Sequence, residues 1–459
     1  MKSFLKIFLV FSLLLLNITQ ADAKKVSVEH KLDTLIKSSP VYKTSTVAVS
    51  IKDVQTGSVF YETNQHKLLH PASTLKLFTA VPAVQNLGQD YCFRTSFYVD
   101  KANNLYIKLG ADPFLTSADL KPMVKELRSH NLKTVNNIYI DDSIIDNVEY
   151  GTGWMWDDDV SPYMTKFSAY NLDNNILKFS IIKTQNGQSI TITPFISYPV
   201  AVLNKLKAGE TNNIKLARYN WQSPDVVEFK GTVSSPQVVD LPLNNLRRYF
   251  ITRLSDYLAN SNIKYANENF TSAIVPADAK LIAETTHSIN SVIPLILKDS
   301  NNKASETLFK VAASKYSNST GTTEDAVKMF NAFYATQKID TKSVIIADAS
   351  GVSRNNLLTV DWMSSALNAI YSNDIFPYLK DNMAQAGDGT LENRLVELRG
   401  NVWLKTGTLS NASGLTGYVN AKNNKTYSVA ILTQNFAVPQ AEVKKLEDSI
   451  INYVYSIKD

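Results

Sequence analysis

The chain has 459 residues, of which 44% are apolar and 19% charged, and its formal net charge is +5. This length can support two or three domains around a large core, and the composition excludes an intrinsically disordered chain. The basic excess contains no Lys/Arg run, so it decides nothing about a polyanionic partner and offers nucleic acid no footprint.

Residues 1–23 read as a secretory signal, with basic Lys2 and Lys6, apolar Ile7 to Leu16 and an Ala21-Asp22-Ala23 cleavage site. The apolar run is too short for a stable bilayer anchor, so the mature chain is expected to begin at Lys24 and to be exported. No later stretch approaches ~18 uninterrupted apolar residues, which leaves at most peripheral membrane contact. The single cysteine, Cys92, allows no intrachain disulfide, and within Tyr91-Cys92-Phe93 it reads as buried packing.

From Thr46 to Tyr61, apolar alternation around Gln55-Thr56-Gly57 predicts a strand hairpin. A helix carrying Ser73 follows and ends near Leu87-Gly88, where glycine suits a C-cap, with Pro82 placed to kink it. Short strands are then expected at Arg94–Val99, Leu105–Leu109 and Asn137–Ile140, with one helix from Ser117 to His130 that Ser117 would cap. The stretch 175–235 reads as all-β, with Phe179–Ile182 and Ser189–Thr193 split by Asn186-Gly187, and Asp240–Asn260 reads as a helix. Long helices return at Ser288–Lys298, Asn302–Lys315, Thr323–Gln337 and Val360–Ser372. A strand (Asn401–Lys405), a hairpin (Gly417–Asn420 with Thr426–Gln434) and a helix from Pro439 complete the chain. In that last helix Val443, Leu446, Ile450, Tyr453, Val454 and Ile457 form one stripe. A hairpin and helix at each end predict one α/β domain, residues 24–88 and 284–459, interrupted by an insertion at 89–283.

Three short motifs carry the chemistry. In His70-Pro71-Ala72-Ser73-Thr74-Leu75-Lys76 the serine and lysine are three apart, so on a helix the Ser73 hydroxyl can meet the Lys76 amine. That is the minimum for a nucleophile and its base, provided the amine is desolvated or crowded by a second cation. In Ser300-Asn301-Asn302, Ser300 could relay a proton to a leaving amine and the Asn302 amide could hold substrate backbone; the bland alternative is a helix cap. In Lys405-Thr406-Gly407-Thr408, Lys405 would meet a substrate carboxylate and disfavour the charged form of Lys76, and Thr406 adds a hydroxyl. Gly407 permits close approach, and the backbone N–H groups of Thr408 and Ser73 would form an oxyanion hole.

Ser-x-x-Lys, Ser-x-Asn and Lys-Thr-Gly in this order form the signature of penicillin-binding proteins and β-lactamases. The chain resembles the class C, low-molecular-mass penicillin-binding proteins, the D-alanyl-D-alanine carboxypeptidase/endopeptidases. The likeness includes Gly110-Ala111-Asp112-Pro113, Gly153-Trp154-Met155-Trp156-Asp157-Asp158, Glu306, Asp348-Ala349-Ser350-Gly351-Val352-Ser353-Arg354 and Gly387-Asp388-Gly389-Thr390-Leu391, and runs from about residue 40 to 435. From Ser73 to Ser300 is 227 residues, more than a compact β-lactamase needs. The resemblance implies a transpeptidase-like domain with an antiparallel sheet flanked by helices, split by a mostly β insertion with a smaller β domain at about 175–235. It also implies that Asp158 and Arg354 contact a diaminopimelate side chain by charge-assisted pairing. Asn301 departs from the aspartate common in such motifs; its side chain is expected to point outward.

The expected activity is therefore that of a periplasmic, penicillin-sensitive serine D,D-peptidase. Its partners would be peptidoglycan stem peptides and cross-links, with β-lactams as covalent inhibitors, and it would need no metal or organic cofactor. The sequence leaves a homodimer open. A β-lactamase would need a deacylating glutamate that the sequence does not identify. A non-catalytic cell-wall binder would have little physical reason to keep Ser73, Lys76, Ser300, Asn302 and Lys405 together. A Ser-His-Asp hydrolase lacks both Gly-x-Ser-x-Gly and a histidine pattern. His66 and His70 are set aside as a zinc pair because position 67 is lysine and Pro71 follows at once.

Overall fold

The computed structural model describes residues 29–184, 189–218, 225–267 and 270–458. The expected secretory signal with its cleavage site, and the expected break at Asn186-Gly187, lie outside the described residues.

The two ends of the chain build one sheet because their strands are apolar on both faces. Thr46–Asp53, Ala412–Asn420 and Thr426–Gln434 are buried almost throughout, so this sheet must be covered on each side. It is antiparallel and six-stranded, in the order Ala384–Gln385, Val402–Leu409, Ala412–Asn420, Thr426–Gln434, Thr46–Asp53, Val59–Thr63. The N-terminal strand pairs in register with the last one, Val49 opposite Ile431. Alternate residues then enter separate cores. Val47, Val49, Ile51, Val429 and Ile431 pack with Val443, Leu446, Ile450 and Val454 of the C-terminal helix Gln440–Tyr455. Ala48, Ala430, Leu432 and Tyr418 face the opposite core, built by the helices Leu75–Leu87, Ile289–Leu297, Asn302–Ser317, Thr323–Thr336 and Val360–Tyr371. The expected mixed α/β architecture, an antiparallel sheet between helical layers, is the observed one.

Between these halves lie a five-stranded sheet and two three-stranded sheets. The five-stranded sheet runs Thr271–Ser272, Ile138–Asp141, Leu105–Lys108, Cys92–Val99, Lys280–Ser288, and carries the helices Ser117–Ser129 and Leu246–Asn260. The small sheets are formed by strands between Ile176 and Pro242.

Several local expectations are corrected. The Ser117–Ser129 helix is capped by Thr116 through a reciprocal box with Asp119, so Ser117 is its first residue and not its cap. Asp240 to Pro242 belong to a strand, and the next helix starts only at Leu246 under an Asn245 cap. Cys92 is half-buried at the start of its strand and not fully buried. Pro82 lies within the Leu75–Leu87 helix, which continues through it. Proline has no N–H for the carbonyl four residues back, and that freed Phe78 carbonyl accepts from the Tyr334 hydroxyl at 2.9 Å.

Candidate active site

Ser73 lies in a single 3₁₀ turn, Ala72–Thr74, that runs into the α-helix at Leu75; the reading of these residues as α-helix is corrected to that extent. Three-residue spacing aligns side chains in a 3₁₀ turn as well. Ala72 has a positive φ of 47°, a conformation that L residues keep only when surroundings impose it. Those surroundings are tight. A Cβ at Gly351 (φ +79°) would lie 1.8 Å from the Ala72 carbonyl oxygen, so only glycine fits beneath the turn. A Cβ at Gly407 would lie 3.0 Å from both the Ser73 nitrogen and the Pro71 oxygen. The Lys-Thr-Gly segment therefore runs alongside the Ser73 amide. It does so within the strand Val402–Leu409, which extends four residues past the expected end at Lys405.

Lys76 is fully buried, and its Nζ has three partners: Ser73 Oγ at 2.9 Å, Asn302 Oδ1 at 2.6 Å and the Ser350 carbonyl at 2.7 Å. The Asn302 amide is oriented by its other end, since Nδ2 donates to the Tyr163 carbonyl at 2.8 Å. Neither Oδ1 nor a carbonyl oxygen can donate a proton. A neutral amine spends its two N–H bonds on them and keeps its lone pair for the serine O–H. Burial pushes Lys76 down to about 7, opposed by the negative charges of Asp348 and Glu306. Of the two expected causes, desolvation or a second cation, desolvation is the one that lowers Lys76. Lys405 is also fully buried and sits well below the ordinary lysine value, first from burial and then from the charge of Lys76. Its Nζ donates to the Thr406 carbonyl at 3.1 Å.

Ser300 occupies the turn before the Asn302–Ser317 helix with a left-handed φ of 62°. The cap of that helix is Asn301, whose side chain accepts from the Ala304 N–H at 2.8 Å, so Asn301 is turned to the helix and Ser300 is not a cap. Thr406 is half-buried and Thr408 exposed on the same strand.

Residues 146–167 pack against the helix and the loop that supply Asn302 and Ser350. Lys310 Nζ donates to the Val148 carbonyl at 2.9 Å and pairs with Asp146 at 2.6 Å. Trp154 Nε1 donates to Asp348 at 2.7 Å. A Cβ on Gly153 (φ +82°) would meet Ser353 and Asn355 at 2.7 Å. Asp158 stands in the turn Trp156–Asp158; burial raises its carboxyl above the usual range, Asp157 adds to this, and the charge of Arg354 opposes it. The charge of Arg354 thus acts on Asp158, and Arg354 Nη1 donates to Asn411 Oδ1 at 2.9 Å. Glu306, Asp348, Ser350 and Tyr163 received no individual role in the sequence reading, because two act through backbone carbonyls and two are buried carboxylates without a catalytic spacing.

A serine hydroxyl beside a buried amine of low proton affinity, with a second buried amine on the neighbouring strand, is the arrangement of a serine peptidase of the penicillin-binding type. Residues 28–454 match the model of the D-Ala-D-Ala carboxypeptidase 3 (S13) family, and the chain belongs to that family. It is 25% identical over 402 residues to D-alanyl-D-alanine carboxypeptidase DacB of Haemophilus influenzae, covering 83% of this chain and 84% of that protein. It is also 25% identical over 427 residues to the D-alanyl-D-alanine carboxypeptidase of Actinomadura sp. strain R39, covering 86% and 79% of the two chains. The crystal structure of penicillin binding protein 4 from Haemophilus influenzae has the same fold, with a TM-score of 0.83 at 23% identity over 93% of this chain and 99% of that one. A β-lactam complex of that protein matches with a TM-score of 0.77 at 22% identity over the same shares. The family resemblance expected from the motifs is borne out, and with it a penicillin-sensitive serine D,D-carboxypeptidase.

Proposed function

We propose that this D,D-carboxypeptidase also acts as a D,D-endopeptidase, cutting D-Ala–diaminopimelate cross-links of peptidoglycan as well as D-Ala-D-Ala termini, and that it works in the periplasm after export. The observation that carries the catalytic assignment is the Lys76 amine, held by two pure acceptors 2.6 and 2.7 Å away and facing Ser73 Oγ at 2.9 Å. Among the described residues no helix is long and apolar enough to cross a membrane.

The terminal carboxylate of the stem peptide docks on Lys405 and Thr406. Its negative charge offsets the burial that lowers Lys405, so the amine takes up a proton as the substrate arrives. Lys76 accepts the Ser73 proton, and Ser73 Oγ attacks the penultimate D-Ala carbonyl. The oxyanion rests on the Ser73 and Thr408 N–H groups. The C–N bond breaks as Ser300 gives its proton to the departing amine and takes up the one Lys76 received, so an acyl ester remains on Ser73 and Lys76 is neutral again. Water then attacks the ester by the same base and restores the serine. Asp158 and Arg354 hold the amine and carboxylate of a diaminopimelate side chain in the neighbouring position. In Ser73→Ala, covalent labelling by a fluorescent penicillin and D-Ala release should both vanish while the far-UV spectrum stays unchanged; persistent labelling would place the nucleophile elsewhere.

A further inference from the structure

We propose that Glu306 is a positioning residue for acylation: it grips the Ala349–Ser350 peptide so that the Ser350 carbonyl holds one N–H of Lys76 and leaves the amine's lone pair facing Ser73. The inference rests on the reading of Ser73 and Lys76 as nucleophile and base. It adds a residue that touches neither substrate nor the reacting atoms.

Glu306 is 2% exposed and lies on the Asn302–Ser317 helix, four residues after Asn302, so both project from one face. Asn302 meets Lys76 directly. Glu306 meets it through one peptide. Both of its oxygens accept from the Ala349 N–H, Oε1 at 3.0 Å and Oε2 at 3.1 Å, and Oε1 also accepts from the Ser350 N–H at 2.8 Å. The Ala349 carbonyl is fixed from the other side by Thr79 Oγ1 at 2.9 Å and Ser305 Oγ at 3.2 Å. With that peptide plane set, the next carbonyl, on Ser350, stands 2.7 Å from Lys76 Nζ.

Two buried carboxylates divide this loop, and the Ala349 and Ser350 amides fall to Glu306. Asp348 already serves the loop, accepting from Gly351 N at 2.8 Å, Ser353 N at 2.7 Å, Asn356 Nδ2 at 2.7 Å and Trp154 Nε1 at 2.7 Å. Glu306 holds the peptide next to the carbonyl that faces the base. It also adds charge: Lys76 feels Glu306 and Asp348 as anions, and Lys405 on the adjoining strand feels Lys76 as a cation and Asp299 as an anion. Glu306 itself is raised to about 7 by burial and by Asp348, so part of this charge is present at neutral pH.

The test is the second-order rate of acylation by a fluorescent penicillin as a function of pH, on the full chain, with wild type, Glu306→Gln and Glu306→Asp. The glutamine variant turns an NH₂ toward amide donors and removes the charge facing Lys76. Its acylation should fall roughly 10- to 100-fold, as expected for the loss of an orienting partner. The acid limb of its profile should also move to lower pH, because Lys76 then binds its proton less tightly. The aspartate variant keeps the charge but is one methylene short, so its rate should fall while the acid limb stays in place. A folded glutamine variant that acylates at the wild-type rate, or is slowed with an unshifted acid limb, overturns the proposal. Should the glutamine variant lose its near-UV spectrum, the aspartate variant decides: wild-type acylation by it overturns the proposal equally. The nucleophile assignment is scored separately, by the labelling of wild type and its loss in Ser73→Ala.

Discussion

At the residue scale the central fact is that an amine with no exposed surface sits beside a hydroxyl. Its proton affinity is lowered chiefly by desolvation, to about 7, and this makes it a competent base near neutrality. Penicillin acylation should therefore rise with pH through about 7 as the neutral fraction of Lys76 grows, which stopped-flow labelling between pH 5.5 and 9 would reveal. Lys76→Arg keeps a cation at the position but cannot act as a base, and should lower acylation by about 10²- to 10⁴-fold. Lys405 follows a different logic. Buried and depressed, it is poised to gain a proton when a carboxylate arrives, so affinity for carboxylate-bearing peptides, followed by titration across pH, should weaken as pH rises.

At the element scale, separate segments meet at the nucleophile turn, and glycines decide how closely they approach. Gly351→Ala would drive a methyl group to 1.8 Å from the Ala72 oxygen in a left-handed backbone position. It should cost on the order of 1–3 kcal/mol in urea melts and displace Ser73, with acylation lost more than in proportion to stability. The segment 146–167, with Gly153 against Ser353 and Asn355, is a second such element. It carries Asp158, on whose carboxyl the charge of Arg354 acts. Asp158→Ala should slow cleavage of diaminopimelate cross-links more than that of a short D-Ala-D-Ala tripeptide; equal slowing would remove its proposed role. Product identification by mass after digestion of purified cell wall measures the first, and D-Ala release the second.

For the whole molecule, the buried amines have a thermodynamic consequence. Lys76 falls to about 7, Lys303 to about 8, and Lys405 lies well below the ordinary value. Each folded value is below the unfolded value of 10.5, so the unfolded chain binds more protons through this window. Stability must then rise with pH, each amine contributing up to about 1.4 kcal/mol per pH unit between its folded and unfolded values. Glu306 has the opposite sign at lower pH, since its folded value is raised from 4.5 to about 7 and its contribution is lost as pH climbs through that range. Urea midpoints should consequently increase from pH 7.5 to 9.5, and a flat or falling trend would mean that these amines remain charged in the fold. The same burial that prepares the chemistry thus works against the fold at neutral pH.

The three motifs were legible because each is local: a three-residue spacing, a two-residue spacing and a Lys-Thr-Gly run carry their chemistry in adjacent side chains. The terminal stripe of Val443, Leu446, Ile450 and Val454 was legible as well, and it packs on the sheet as its period requires. Helix starts read less well where a strand ran on, as at Asp240 to Pro242, since propensity does not register pairing with a distant partner strand. Only the tertiary structure decided what surrounds Lys76. One acceptor is the carbonyl of a residue whose N–H is held by a carboxylate 44 residues earlier, and another is an amide held by the Tyr163 carbonyl. A backbone carbonyl has the same chemistry in every residue, so no side-chain pattern announces it. The amine's proton affinity is likewise set by exclusion of water, which depends on the assembled packing and on no residue alone.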